Sequence, residues 1–406
     1  MWYNSSYPMK ENPALKSTFL HSWHEAAGAR FASFAGFEMP IQYASAVEEH
    51  RLCRRSVGLF DTCHMGRFFL SGEEAGKALS SLTSASILDM EAGAARYSLL
   101  LNENGGILDD LFIYRLENVK GAFSWLVVVN AGNREADHAW LSERLPPQVS
   151  LEDMSDKTCM IAVQGPRAVE LLDRIVGEAG NKDVTQGALK ASAPRVPSVS
   201  AIPRAHMACL SLAGISVLIG RTGYTGEDGV EIYYKAENEE EAKTLWETIL
   251  AEADKAGIEA GAVGLAARDS LRFEAGMPLH GHEISREITP LEALLSWACD
   301  FNKDFIGKEA LLVQKASGLK RKLVTLNVTS GVPREGYSVL NERGAQIGTV
   351  VAGMFCPTTE TYSANAFVPT EYSVVGTRLA VEIRGVPKEA LVVKRPLYIP
   401  AYRRQT

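Results

Sequence analysis

Apolar positions along this chain change period several times, and each change marks an element. Across 18–30, Leu20, Trp23, His24 and Ala27 fall at helical spacing, which predicts a short amphipathic helix. Ala35-Gly-Phe-Glu-Met-Pro40 then reads as a glycine-marked loop, 46–57 as a second helix, and 61–70 as a strand entered through His64-Met65-Gly66. The run Leu126-Val-Val-Val129 predicts a strand ended by Asn130-Ala-Gly-Asn133, and 160–163 another ended by Gln164-Gly165-Pro166. Polar loops at strand ends are where a scaffold places site residues. After Arg221-Thr-Gly-Tyr-Thr-Gly-Glu-Asp-Gly229, a strand over 230–234 leads into a charged helix over about 238–255, with Leu245, Trp246, Ile249 and Leu250 as its buried stripe. Helices and strands alternate irregularly, which predicts α+β layers.

Two stretches depart from that pattern. Residues 187–203 are rich in alanine, serine and proline, including Pro194, Pro197 and Pro203, and read as an extended, mobile surface excursion. From about Lys320 the apolar runs become short and β-branched, as in Leu323-Val-Thr-Leu-Asn-Val328, Ile347-Gly-Thr-Val-Val351 and Leu379-Ala-Val-Glu-Ile383, which predicts a small all-β domain. The expected division is 1–315 and 316–406, consistent with a 406-residue chain long for one domain.

Charge and cysteine usage narrow the partners. A net charge of −7 argues against a nucleic-acid or anionic-membrane surface, and no apolar run approaches a spanning length. Six cysteines without a CxxC pair fit reduced thiols and a cytoplasmic setting. The first twenty residues hold Asn4, Pro8, Lys10, Glu11, Asn12 and Pro13, which leave no uninterrupted apolar core for a secretory signal.

Candidate chemistry concentrates in the stretch from Tyr97 to Tyr114. Alternation along a strand puts Asp110, Phe112 and Tyr114 on one face, opposite Asp109, Leu111 and Ile113. Asp110 reads either as a pocket acid beside two aromatic rings that can stack on a flat heterocycle, or as a hairpin acid capping Gly105-Gly106. Alternation after the glycine-rich loop likewise sets Glu231 with Tyr233 against Val230, Ile232 and Tyr234; that loop lacks the GK[ST] ending of a phosphate cradle. Arg268 and Arg272 stand one helical turn apart, as a carboxylate clamp or as a surface network with Asp269 and Glu274. His280-Gly-His282-Glu283 lacks the spaced third ligand of a zinc site, and adjacent Cys63 and His64 do not suit a thiol and its base.

Six motifs stand in order: Phe34-Ala-Gly-Phe-Glu-Met-Pro40, Ser56-Val-Gly-Leu-Phe-Asp-Thr-Cys-His-Met-Gly66, Asn102-Glu-Asn-Gly-Gly-Ile-Leu-Asp-Asp110, Arg221-Thr-Gly-Tyr-Thr-Gly-Glu-Asp-Gly229, Gly264-Leu-Ala-Ala-Arg-Asp269 and Asn302-Lys-Asp-Phe-Ile-Gly-Lys308. Through them nearly the whole chain resembles the T-protein family of the glycine cleavage system, which are folate-dependent aminomethyltransferases. The resemblance implies a three-part cloverleaf, with two interwoven α+β subdomains and a C-terminal β-barrel around a folate channel. It makes Asp110 the catalytic carboxylate and Glu231 a pterin ligand. It implies that Met65, Tyr97, Tyr114, Tyr224, Arg268 and Trp297 line the folate site, with Arg404 approaching the substrate channel. The implied reaction moves the methylene of an aminomethyl-lipoyl carrier, the H protein, to tetrahydrofolate as co-substrate, releasing ammonia and requiring no metal.

Three places depart from the family pattern: His280 stands where many relatives have tyrosine, 187–203 replaces a segment that often supplies a pocket aromatic, and Phe355-Cys-Pro-Thr-Thr-Glu-Thr-Tyr-Ser-Ala-Asn365 differs along the expected substrate-side wall. These departures keep two alternatives open, a tetrahydrofolate-dependent demethylase of a small N-, O- or S-methyl substrate and a non-catalytic folate-binding relative.

Overall fold

The computed structural model describes residues 14–119, 123–177, 189 and 191–403. Past residue 320 the two-residue period closes on itself. Six antiparallel strands form a barrel in the order Arg321–Val328, Thr361–Pro369, Gln346–Cys356, Ser338–Leu340, Arg378–Ile383 and Val386–Val393, and the last pairs with the first. Alternate residues Val324, Leu326 and Val328 meet Ala364, Ala366, Val368, Val381 and Val392 in its core, so small side chains oppose branched ones and fill a narrow lumen.

Two larger sheets and a two-stranded hairpin precede the barrel among the described residues. A six-stranded sheet has the order Met207–Leu212, Ile215–Gly220, Gly229–Lys235, Thr158–Gln164, Val57–Asp61 and Ala260–Ala262; only its last pair is parallel. A five-stranded sheet has the order Ala95–Leu101, Ile107–Arg115, Trp125–Val129, Gly66–Ser71 and Ser150–Asp153. Their inner faces share one core, with Phe69, Tyr114, Leu126 and Val128 from the shorter sheet against Met160, Cys209, Leu218 and Tyr233 from the longer. The helix Glu239–Ala256 covers the outer face of the six-stranded sheet through Leu245, Trp246 and Ile249. Asn238 caps that helix by accepting from Glu241 N at 3.0 Å, and Gly257 ends it in the left-handed conformation, φ 63°.

The chain makes one excursion between the sheets. It leaves the longer sheet at Asp61, builds the whole of the shorter one, and returns at Thr158. The expected single strand over 61–70 is therefore two strands separated by a bend at 62–65. The buried guanidinium of Arg67 fixes this bend, donating to Cys63 O at 3.0 Å and to Thr158 Oγ1 and Thr158 O at 2.8 Å, as well as to Met65 O and Ser155 O. A crossover held by a side chain carries no periodic signal.

Other differences are equally local. The expected loop over 35–40 is a hairpin of Arg30–Phe34 with Phe37–Gln42, turned by Ala35 and Gly36, both at positive φ. Alanine rarely adopts that conformation, so the turn lacks its usual Asn-Gly marker. The first helix shortens to His21–Ala26, and its His24 is buried between Asp61 and the Tyr43 hydroxyl at 3.0 and 2.9 Å. The excursion expected over 187–203 lies partly outside the described residues, but its later part is built into the fold. Ala193, Val199 and Ile202 are buried, and Arg195 bridges to Cys209 beside the sheet edge.

The helix Leu265–Glu274 joins the sheets to the barrel. Arg272 on this helix donates to Glu283 at 2.8 Å, and Glu283 accepts from the barrel residue Asn365 at 2.7 Å. Nearby, the turn at Asn102–Gly106 packs against the segment that carries Glu283. A Cβ built on Gly106 would sit 1.9 Å from Arg286 O, so Gly106→Ala is expected to lower stability by about 1–3 kcal/mol or more, read as a fall in thermal midpoint. Among the described residues no helix is long and apolar enough to cross a membrane.

Candidate active site

A cavity of about 1320 Å³ opens where strand-end loops of the two sheets, the start of the Leu265–Glu274 helix and the C-terminal segment converge. Asp110, Glu231 and Arg268 bring two carboxylates and a guanidinium to its wall.

The Asp110 side is built by the hairpin Ala95–Leu101 and Ile107–Arg115. Its turn is capped by Asn102, whose Oδ1 accepts from Asn104 N at 3.0 Å and Gly106 N at 2.9 Å. Asn102 thus fills the capping role that one of the two readings gave to Asp110, whose carboxylate lines the cavity instead. Its carboxylate accepts from the Tyr97 hydroxyl at 3.0 Å and from Asn130 Nδ2 at 2.7 Å. Burial and the neighbouring charge of Asp109 push Asp110 up to about 7, against the opposing effect of those two donors. Asp109 is buried, and accepts from Asn130 N at 2.9 Å, Asn130 Nδ2 at 2.8 Å and Asn133 Nδ2 at 2.7 Å.

Glu231 is held from behind. Its Oε2 accepts from Thr222 at 2.6 Å, Tyr114 at 3.3 Å and Tyr233 at 3.4 Å. Tyr114 itself is fully buried and is not among the cavity-lining residues, so it supports Glu231 rather than facing a ligand, contrary to the expected lining role. Its face of the strand is as expected, but by that point the strand has passed under the second sheet. Phe112, two residues earlier, does line the cavity.

Arg268 and Arg272, one turn apart, take different roles. Arg272 is buried against Glu283 and Asp269 and does not reach the cavity. Arg268 lines it, with its guanidinium 4.7 Å from the Tyr224 ring centre and its buried Nη1 without a hydrogen-bond partner. Tyr224 is fixed by donation to Pro278 O at 2.5 Å. Met65 also lines the cavity, and Trp297 stacks on Tyr97 with ring centres 5.2 Å apart while remaining 68% exposed at the rim. Arg404 lies outside the described residues.

Sequence reasoning passed over three wall residues. His64 is buried on the bend between the sheets, edge-on to Phe34, with Nδ1 unpartnered; burial and the charge of Arg268 bring it down to about 3, so it is neutral. Cys63 turns the other way, its Sγ 3.2 Å from that of Cys159, so the two neighbours form no thiol and base pair. Asn130 was visible only as a polar strand end, and Arg395 returns from beyond the barrel to donate to Gly276 O at 2.7 Å. His280 lines the cavity, whereas no residue of 355–365 does. That divergent stretch instead anchors the barrel, with Thr358 accepting from His50 or donating to it at 2.7 Å and Thr358 N donating to Glu274 at 2.8 Å.

Comparison with known families assigns the architecture. A model of the GCVT N-terminal domain matches residues 20–303, and one of the glycine cleavage T-protein C-terminal barrel domain matches residues 321–398. The chain belongs to the glycine cleavage T-protein family. Relatives of this family include an aminomethyltransferase of Symbiobacterium thermophilum, 40% identical over 97% of this chain and 100% of the relative, and one of Synechococcus elongatus, 39% identical over 95% and 96%. The crystal structure of the glycine cleavage system aminomethyltransferase T from Bartonella henselae superposes with a TM-score of 0.81, at 32% identity, over 95% of this chain and 99% of that one. The T-protein fold, α+β layers with a C-terminal barrel, is thus shared along nearly the full length of the chain.

Proposed function

We propose that this protein is the aminomethyltransferase of a glycine cleavage system: it moves the methylene carbon of an aminomethyl-lipoyl carrier, the H protein, to tetrahydrofolate, with release of ammonia. The observation that carries the site assignment is one cavity faced by Asp110, Glu231 and an unpartnered Arg268 nitrogen. Such a wall suits a heterocycle that offers N–H groups to the acids and an acceptor to the guanidinium. Tetrahydrofolate supplies the two nitrogens that take up the carbon. Of their two hydrogens, one ends on ammonia and the other on the dihydrolipoyl sulfur, so the reaction needs a group that exchanges protons near neutrality.

Asp110 is that group in this reading. Tyr97 and Asn130 aim its carboxylate, which holds the reacting amine in line and offsets positive charge as that amine attacks. Tyr114, Thr222 and Tyr233 aim Glu231 at the ring nitrogens, while Arg268 anchors the same ligand. The aromatic pair of Tyr97 and Trp297 provides a stacking surface at the rim. All six cysteines are free and buried, which suits the cytoplasmic location we infer.

Purified protein mixed with tetrahydrofolate and an aminomethylated lipoyl carrier is expected to form ammonia and 5,10-methylenetetrahydrofolate. Folate binding without carrier-dependent product would shift the assignment to a demethylase. Arg268→Met is expected to weaken folate binding by roughly 10- to 100-fold, the worth of about 1.5–3 kcal/mol for a hydrogen bond to a charged group, with kcat changed far less. Titration of folate against both proteins checks it.

A further inference from the structure

Trp297 is the largest of the exposed apolar side chains among the described residues, and it stands at the rim of the large cavity. A lone exposed ring needs no explanation by itself, but the backbone that carries this one is tied to the strand it leans on. Trp297 sits in the short turn Ser296–Ala298. Ser84 Oγ donates to Ala298 O at 2.7 Å and accepts from Leu99 N at 3.1 Å, so one hydroxyl joins that turn to the strand Ala95–Leu101, which holds Tyr97. Asp300 N also donates to Ser84 O at 2.9 Å. The chain enters the turn through Leu294 at φ 62°, a left-handed conformation that leucine seldom adopts, and Leu295 N donates to Pro290 O at 2.7 Å just after it. The backbone is thus fixed on both sides of an indole that remains in water.

The indole lies on Tyr97, with ring centres 5.2 Å apart and planes 27° from parallel, while Phe112 meets the same phenol edge-on at 6.2 Å. These two contacts set the direction of the Tyr97 hydroxyl, which donates to Asp110 Oδ2 at 3.0 Å. We propose that Trp297 is a positioning residue for the transfer reaction: by stacking on Tyr97 it keeps that hydroxyl on Asp110 while the mouth of the cavity is open to water. This inference rests on Asp110 being the reacting carboxylate. An aromatic pair in this arrangement attracts beyond the area it buries, so it favours the rotamer of Tyr97 that reaches the acid over those that turn the hydroxyl to solvent.

The titratable groups around Asp110 are Asp109, Asp137, Tyr97 and Tyr224. Burial and the charge of Asp109 raise Asp110, and the bonds from Tyr97 and Asn130 oppose that rise by favouring the ionised form. Burial holds Tyr97 itself well above the usual tyrosine range, so its hydroxyl keeps its proton and stays a donor while Asp110 titrates. Trp297 carries no charge. A looser Tyr97 therefore raises the pH at which Asp110 loses its proton, whereas water that merely reached the carboxylate through the gap would lower it.

The test follows the protonation of Asp110 itself, by infrared pH titration of the carboxyl band that Asp110→Asn lacks. The proteins compared are the wild type, Trp297→Ala, Trp297→Phe, Tyr97→Phe and the double variant Tyr97→Phe with Trp297→Ala. The wild-type midpoint is expected near 7. Tyr97→Phe removes the donor and should raise the midpoint by about one unit or more, the worth of a hydrogen bond to a charged group. Trp297→Ala should raise it by roughly half that shift, and Trp297→Phe, which keeps a flat ring on Tyr97, should restore the wild-type value. In the Tyr97→Phe background Trp297→Ala should add nothing, because the hydroxyl through which it acts is gone. An unmoved or lowered midpoint in Trp297→Ala, or the same shift with and without the Tyr97 hydroxyl, would overturn the proposal. Trp297 is exposed, so its variants should fold, and an unchanged thermal midpoint checks this. Lack of carrier-dependent turnover in the wild type with these shifts in place faults the transferase reading alone.

Discussion

Asp110→Asn is expected to lower turnover by roughly 10²- to 10⁴-fold, the usual contribution of a positioned proton-exchanging side chain, while folate affinity changes little. Asparagine keeps the size of the carboxylate; its one oxygen can accept from Asn130 Nδ2 while its amide nitrogen faces the Tyr97 hydroxyl, which can rotate to accept, so the wall retains its shape. What is lost is the charge that offsets the developing cation and the capacity to take a proton and return it. In the wild type, the ionised carboxylate is the active form, so kcat/KM should rise as the pH increases through about 7. The residual activity of the variant should show no such rise. Separate measurement of folate affinity, single-turnover rate and the pH profile checks all three statements. Turnover equal to that of the wild type would remove Asp110 from the mechanism.

The second large effect is on stability. Glu283→Ala should destabilise the protein by about 3–5 kcal/mol, because it leaves the buried guanidinium of Arg272 with only the half-exposed Asp269 as counter-charge. Arg272 and Glu283 are both fully buried, and the carboxylate also accepts from Leu279 N at 3.0 Å and Asn365 Nδ2 at 2.7 Å. Three donors on the helix, the loop and the barrel therefore lose one acceptor together. The double variant Arg272→Met with Glu283→Leu should recover much of the loss, since no unpaired charge remains. Chemical denaturation of the three proteins tests this directly. Burial works against ionisation of Glu283, but the guanidinium of Arg272, together with Asn365, Arg395 and Leu279 N, outweighs it and holds the carboxyl below its usual range. A depressed folded value means that its stabilising contribution is complete above the unfolded value of about 4.3 and disappears as the pH falls through the folded value. The Ala variant should lack that segment of the acid unfolding curve.

Much of the candidate site was legible because it depends on strand alternation. Asp110 and Glu231 each fall on the face that period two assigns them, and both reach the cavity. The change to short β-branched runs likewise marks the barrel. Period alone cannot say how far along a strand a face remains a wall, which is why Phe112 lines the cavity and Tyr114 does not. Nor does helical spacing separate Arg268 from Arg272. Their roles diverge because Glu283, supplied by the loop that follows the helix, claims one of them. The bend at 62–65 and the Ala35-Gly36 turn were missed for a related reason: Arg67 fixes the first through carbonyls of another strand, and the second uses a residue type that turn rules do not anticipate.

The single excursion between the sheets also orders events during synthesis. Every strand of the five-stranded sheet lies between Gly66 and Asp153, so that sheet can assemble from one contiguous stretch as it leaves the ribosome. Its partner cannot be completed until Ala260–Ala262 arrives beside Val57–Asp61. Until Met160, Cys209, Leu218 and Tyr233 follow, Phe69, Leu126 and Val128 have no opposing layer, which leaves the nascent chain with a sticky apolar face just when it carries the finished Asp110 hairpin. Transiently exposed apolar surface of this kind is what makes folding intermediates prone to aggregate.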